Sequence, residues 1–196
     1  MTTAPSVPTR TGPPLGDRCR SVASRMARPL LGAAAAITLL HVQPIGLTFV
    51  VTPSIAEGAY LTVDAWAAGS PQPGDIVCFP YGQRGPAALQ ARRYLSAETV
   101  LCKPVAAVEG AHVRRTKAGD LELSPDGKSW RGAARMASRD AAGRAVEPYF
   151  GEAPVRVPPR HLLLLAPLHS NSLDSRYYGP VPVSDVRAKA FQLLAW

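Results

Sequence analysis

Two residues of this chain combine in a way that favours nucleophilic catalysis, a serine after a proline and a lysine inside an apolar run. Ser54 follows Thr52 and Pro53, and Lys103 interrupts the apolar residues 100–108. A serine hydroxyl is a weak nucleophile until a positioned base takes its proton, and a neutral lysine amine can be that base. Burial lowers the pKa of a lysine, so the setting of Lys103 favours a neutral amine. The pair predicts a Ser-Lys catalytic dyad.

Both residues also have an ordinary structural interpretation. A lysine in a strand is more often an outward-facing or edge residue. A serine beside a proline usually begins a turn or bonds to nearby backbone. The polar residues 172–176 are likewise typical of a solvated loop. Residue types and spacing alone leave these alternatives open.

The segments that carry these residues have the pattern of β-strands. The 16 glycines and 20 prolines suit strands joined by frequent turns. A short helix is predicted over residues 86–94 and an irregular insertion over 126–159, and residues 169–182 are predicted as a polar loop. The predicted strands and hairpins are residues 59–63, 75–79, 100–108, 112–124 and 161–166. The fold is therefore expected to be mainly β.

The N-terminal part has a different composition. Residues 1–28 carry five arginines against one acidic residue and few large apolar groups, which predicts a disordered basic tail. The mostly apolar residues 30–51 would span roughly 33 Å as a helix, enough to cross a bilayer. The arginines before them would hold the N-terminus in the cytoplasm. We predict a membrane anchor over 29–51 and an extracytoplasmic domain over 52–196.

Polar residues and a proline at positions 41–44 interrupt that apolar run, and both cost free energy in hydrocarbon. A cleavable signal peptide is therefore one alternative. Against it, the basic region is long and no small-x-small cleavage site closely follows residue 40. A buried hairpin of a soluble domain is the other alternative.

Charge and cysteine content limit the classes of function. The formal net charge is +8, but much of it lies in the tail and no nucleic-acid-binding motif accompanies it, so no nucleic-acid partner is expected. The three cysteines lack zinc-ligand spacing and there is no P-loop, so neither metal nor nucleotide is expected as a cofactor. Cys78 and Cys102 lie in strand-like segments and would pair only if those strands are neighbours. Two free buried thiols are an equal alternative.

Four segments, in order, resemble the sequence boxes of type I signal peptidases, and in detail those of the TraF-type peptidases that process pilin precursors for conjugative transfer. The resemblance covers residue 48 to the C-terminus. The nucleophile box is similar to residues 52–60 and the following strand box to residues 74–77. The general-base box is similar to residues 101–110, and the last box to residues 171–182.

This resemblance implies a role for each polar residue in those boxes. Ser54 would attack the scissile carbonyl and Lys103 would act as its general base. The backbone N–H of Ser54 and the hydroxyl of Thr52 would hold the oxyanion. Ser172 would orient the lysine amine. Asp174 and Arg176 would form a supporting ion pair.

The resemblance further implies coiled antiparallel β-sheets beside one N-terminal transmembrane helix, with the catalytic domain periplasmic at the bacterial inner membrane. The partners would be pilin or secretory precursors with small residues before the cut, and no cofactor is implied. The residues do not distinguish hydrolysis from cyclisation. Ala56 stands where proline is usual, Pro104 where arginine is usual, and residues 108–111 depart from the expected turn. A catalytically silent, membrane-anchored β domain of a conjugation or secretion apparatus is therefore the alternative.

Overall fold

The computed structural model describes residues 45–50, 54–167 and 169–196. Within these residues the fold is mainly β, as predicted. The short helices are α1 (Ala65–Ala68), α2 (Ala87–Gln90) and α3 (Ser175–Tyr178), with a 3₁₀ turn over Val183–Asp185. The strands are β1 (Ile45–Val50), β2 (Gly58–Asp64), β3 (Ile76–Pro80), β4 (Val100–Val108), β5 (His112–Arg115), β6 (Leu121–Ser124), β7 (Arg131–Ala134), β8 (Val155–Arg156), β9 (His161–Leu164), β10 (Val181–Pro182) and β11 (Ala188–Ala195).

The described strands form two antiparallel sheets. One has seven strands in the order β1-β2-β11-β3-β4-β9-β10, and the other has four in the order β7-β6-β5-β8. Every strand pair is antiparallel, which confirms the predicted sheet type. β4 is therefore an interior strand of the larger sheet.

Strand β9 explains why residues 162–165 form an unbroken run of leucines. Leu162 and Leu164 belong to one buried cluster with Val77 and Phe79, whereas Leu163 and Leu165 belong to a second cluster. Successive side chains of a strand point to opposite faces. Because both faces of β9 are buried, every position in the run is apolar.

The secondary structure departs from prediction in several places. Helix α2 is shorter than predicted, because Arg93 adopts a φ of 48° that cannot continue a helix. Strands β7 and β8 lie inside the predicted irregular insertion, and α3 and β10 lie inside the predicted polar loop. Strand β11 was not predicted at all. Its alanines and leucines carry no strand signal, and its conformation follows from pairing with β2 and β3 on its two sides.

The predicted tail and most of the predicted anchor lie outside the described residues. Residues 45–50 are an exception, because they form β1, paired with β2 from Ile45 opposite Val63 to Val50 opposite Gly58. The prediction of helix is therefore wrong for these six residues, which follow the helix-breaking Pro44 and fit an existing strand edge. The anchor prediction stays open for residues 29–44. No helix in the described ranges has the length and apolar character needed to span a membrane.

Cys78 and Cys102 form a disulfide between β3 and β4. The two residues are direct partners in the strand register, which brings their side chains to the same face of the sheet. The sequence left their pairing open because it depends on which strands are neighbours.

Candidate active site

Lys103 lies in the middle of β4 with only 3% of its surface exposed. Its register partner on β3 is Val77, and the next buried residue along β4 is Val105. Burial lowers the pKa of the Lys103 amine to about 8, the nearby Asp174 carboxylate acts to raise it, and Arg176 acts to lower it. A neutral amine is therefore accessible close to physiological pH.

The hydroxyl of Ser172 lies between this amine and the hydroxyl of Ser54. The Lys103 amine donates a hydrogen bond of 2.7 Å to Ser172 Oγ, and Ser172 Oγ is 3.2 Å from Ser54 Oγ. Ser172 is itself buried. One buried hydroxyl thus connects the predicted nucleophile with the predicted base.

Ser54 precedes β2 in a turn that the neighbouring residues hold in place. The side chain of Ile55 is buried beside Tyr60, and the Tyr60 hydroxyl donates to the carbonyl of Ala56 at 2.7 Å. Gly58 then begins β2, where an added Cβ would lie 1.9 Å from the carbonyl oxygen of Leu194 on β11. Only glycine permits this approach of the two strands, which sets where the turn stands against the sheet.

Asp174 and Arg176 form a fully buried ion pair, each with 0% of its surface exposed. The guanidinium donates through Nε to Asp174 Oδ1 at 2.8 Å and through Nη2 to Oδ2 at 2.7 Å. The carboxylate also accepts from the backbone N–H groups of Ala166 and Arg176. A buried ion pair of this kind needs such additional hydrogen bonds to offset its desolvation.

The same guanidinium fixes the segment that carries Ser172. It donates to the carbonyl oxygens of His169 at 2.8 Å and of Ser172 at 3.3 Å, and also to that of Arg135. Ser175 adds a second tie, because its hydroxyl accepts from the backbone N–H of Leu164 on β9 at 2.9 Å. The ion pair therefore positions the backbone of Ser172 rather than touching the Ser54 hydroxyl.

The disulfide adjoins Lys103 along the chain and belongs to the buried cluster beside Ser54. Cys102 immediately precedes Lys103, and Cys78 packs in the buried cluster that contains Ile55, the residue after Ser54. A covalent link between β3 and β4 thus supports the strand position of the lysine and packs near the serine turn.

The structure brings five of the six predicted site residues together: Ser54, Lys103, Ser172, Asp174 and Arg176. Thr52 lies outside the described residues, so its predicted part in the oxyanion hole stays a prediction. In the described residues, Ser54 and Lys103 share no hydrogen bond of their own, and both contact Ser172.

Sequence reasoning missed the supporting roles of Ser175 and Tyr60. Both lie inside the boxes that carry the resemblance, but no local pattern indicates which distant backbone group each contacts. In the described part of the chain, no group of three His, Cys, Asp or Glu side chains is arranged as metal ligands would be. The groups that meet at Ser54 and Lys103 are two hydroxyls and an amine.

Comparison with known proteins identifies the family to which the chain belongs. Residues 21–196 match the family described as signal peptidase, peptidase S26, and the chain belongs to that family. It is also similar to the probable conjugal transfer protein TraF of Sinorhizobium fredii (strain NBRC 101917 / NGR234). The two are 31% identical over 186 residues, which cover 88% of this chain and 93% of that protein. The predicted membership of the signal-peptidase family and the TraF-like character are confirmed.

Proposed function

We propose that this protein is a membrane-anchored serine endopeptidase that cleaves pilin or secretory precursors on the periplasmic side of the bacterial inner membrane. The observation that carries the proposal is the buried Lys103 amine, which shares one hydrogen-bond partner, Ser172, with the Ser54 hydroxyl. Membership of the S26 family and similarity to a conjugal transfer protein support the reaction class and the type of substrate.

In the proposed reaction, Ser54 Oγ attacks the carbonyl carbon of the scissile peptide while the neutral Lys103 amine takes the hydroxyl proton. The resulting ammonium gives this proton to the leaving amine as the peptide C–N bond breaks, which leaves an ester on Ser54. Water then attacks the ester, and Lys103 again takes and returns one proton. Ser54 is regenerated and the new carboxyl terminus departs.

Ser172 keeps the Lys103 amine beside the nucleophile in this scheme. Catalytic hydrogen bonds are often long without substrate and tighten when it binds. In the proposed scheme, substrate binding brings the Ser54 hydroxyl into contact with the amine, while Ser172 still accepts from Lys103. The developing oxyanion would be held by the backbone N–H of Ser54 and the hydroxyl of Thr52.

The free edge of β4 suits an extended peptide substrate. Residues 100–103 pair with β3 on one side, whereas pairing with β9 on the other side begins only at Val105. In the described part of the chain, no strand pairs with residues 100–103 on that second side. A precursor can add there as a strand, with main-chain hydrogen bonds for affinity, and so reach the amine of Lys103.

The test is cleavage of a pilin-type precursor by the full chain in membranes or detergent. Ser54→Ala and Lys103→Met are each expected to lose roughly 10⁴-fold or more in rate, because removal of either member of a catalytic pair abolishes most of the rate enhancement of the pair. The matched controls are exposed residues of the same types, Ser184→Ala and Lys117→Met, which should cleave at the wild-type rate. Cleavage by Ser54→Ala at the wild-type rate would refute the mechanism.

The alternative is a catalytically silent β domain that serves a conjugation or secretion apparatus. Its support is the resting geometry, in which Ser54 and Lys103 do not contact each other directly, together with Pro104 and Ala56 at positions where the family usually has arginine and proline. A wild-type protein that leaves every tested precursor uncut would favour this alternative.

A further inference from the structure

A pocket of about 260 Å³ shares a wall with the candidate active site, and the proposed mechanism does not use it. Its lining is mostly apolar and includes Leu89, Leu95, Val146 and Leu173. The volume is below the roughly 300–1,000 Å³ of typical small-molecule sites. It is therefore better suited to one or two side chains of a larger ligand than to a whole small molecule.

Two walls of this pocket belong to segments that adjoin the predicted catalytic site. Asn171 and Leu173 line the pocket and directly flank Ser172, which contacts both Ser54 and Lys103. Leu95 lies in the segment that leads into β4 at residue 100, the start of the free edge described above. A peptide strand that runs along that edge from Lys103 toward residue 100 would therefore extend toward the segment that lines the pocket.

The charged residues at the rim of the pocket indicate which group of a ligand should lie next to its apolar side chain. Arg139 lines the pocket, donates to the carbonyl of Gly143 at 2.6 Å, and forms no ion pair with a described carboxylate. Asp140 also lines the pocket, but its charge is matched by Arg92 at 3.3 Å and Arg144 at 2.8 Å. The rim is therefore net positive.

Hydrogen bonds from neighbouring residues keep the Asp140 carboxylate ionised and engage its oxygen atoms. Its carboxylate accepts from the Tyr94 hydroxyl at 2.5 Å and from the backbone N–H groups of Ala142 and Arg144. The Tyr94 bond is the largest of several effects that hold the pKa of Asp140 well below its usual range. Asp140 thus stays matched to its own arginines, which leaves Arg139 to meet an acidic group of a ligand.

We propose that this pocket is a substrate subsite that binds a large apolar side chain of the precursor, with an adjacent acidic side chain paired to Arg139. The inference rests on the proposed peptidase function and adds a sequence preference away from the cut. It predicts that the enzyme reads an apolar-acidic pair in its substrate in addition to the residues next to the scissile bond.

The experiment fills the pocket from its rim. Ala141 lines the pocket, whereas Ala142, the next residue of the same exposed turn, does not. Ala141→Phe is therefore compared with Ala142→Phe in the full chain, with thermal unfolding to verify that both are folded. The substrates are peptides from a precursor that wild type cleaves, with a leucine-aspartate pair moved one position at a time along a flank of alanine and serine.

Wild type and Ala142→Phe are expected to prefer one position of the leucine-aspartate pair. Ala141→Phe should lose that preference through a KM about tenfold higher, the effect of one buried apolar side chain, with kcat within twofold. Short peptides that cover only the cleavage site should be cut equally by all three proteins. Arg139→Gln should weaken the preference for aspartate by about two- to fivefold, as expected for an exposed ion pair.

Equal kinetics of Ala141→Phe and Ala142→Phe on every peptide would overturn the subsite. If wild type cuts no peptide, the proposed function fails, and the subsite is then decided by binding alone. For that purpose the same fluorescently labelled peptides are titrated onto the full chain and followed by anisotropy. Weaker binding to Ala141→Phe than to Ala142→Phe supports the subsite, and equal binding rejects it.

Discussion

Two buried lysines flank the same valine in the larger sheet, yet their surroundings differ. Val77 on β3 is the register partner of Lys103 on β4 and of Lys189 on β11. Lys189, 7% exposed, contacts the carboxylate of Asp75 at 2.8 Å and the carbonyl of Ser70 at 3.0 Å. The Lys103 amine instead has the neutral hydroxyl of Ser172 as its hydrogen-bond partner.

The difference teaches that burial alone does not make a lysine a base. A carboxylate in contact stabilises an ammonium, so Lys189 has the surroundings of a structural ion pair. Burial acts to raise the pKa of Asp75. The hydrogen bond and charge of Lys189, together with the backbone N–H of Gln72, outweigh burial and hold this pKa below its ordinary value. Around Lys103, burial without a contacting carboxylate lowers the pKa to about 8. The partner in contact distinguishes the two roles.

The largest expected difference in activity is between the two variants in which one of these lysines is replaced by methionine. Lys103→Met should reduce precursor cleavage by roughly 10⁴-fold or more, with an unfolding free energy that is unchanged or higher because no amine is buried. Lys189→Met should cleave within a few-fold of wild type but lose about 1–2 kcal/mol of stability, since Asp75 is left without its partner. Initial rates and urea unfolding measure both. A folded Lys189→Met protein without activity would remove the distinction.

The next largest effect should come from the ion pair that holds the Ser172 segment. Arg176→Met leaves the Asp174 carboxylate buried and unpaired, so the unfolding free energy should fall by about 3–5 kcal/mol. The double variant Arg176→Met with Asp174→Leu should recover part of this loss, because no uncompensated charge remains. Urea unfolding compares the three proteins. A single variant as stable as wild type would mean that the pair contributes little.

Removal of the bridging hydroxyl sharpens the contrast between the lysines at a smaller scale. Ser172→Ala leaves Lys103 buried but without its hydrogen-bond acceptor, so kcat should fall by about 10²-fold with KM nearly unchanged. Ser184→Ala serves as the exposed control. If kcat falls as far as in Lys103→Met, then the proton passes through Ser172 and the direct transfer proposed above is wrong.

The last prediction concerns the pH dependence of the rate. The active base is the neutral amine, and burial places the pKa of Lys103 at about 8, so the fraction in the active form grows as pH rises. The rate should therefore increase about tenfold per unit below pH 8 and level off above it. Lys189→Met should give the same profile. A rate that is flat between pH 6 and 8 would argue against Lys103 as the base.

The sequence predicted the segments better than it predicted their contacts. The apolar run of residues 100–108 predicts β4 and the unusual position of its lysine. The roles of Ser172, Asp174 and Arg176 were predicted from the resemblance of residues 171–182 to the last signal-peptidase box. Strand β11 was missed because Phe191 is its only residue with marked strand propensity, and its conformation is specified by its two neighbours. The bridge from Ser54 through Ser172 depends on the packing of distant segments, which no local pattern encodes.

The unbroken leucines of β9 have a consequence for how the chain finds its register. In an alternating strand, a shift of one residue exposes the apolar side chains and is thereby rejected. In residues 162–165 such a shift places leucine where leucine already stood, so apolar burial carries little positional information there. That information must come from directional contacts, and the Leu164 N–H bonds Ser175 while the Ala166 N–H bonds Asp174. The polar residues beside the candidate active site thus also align the core strand beneath it.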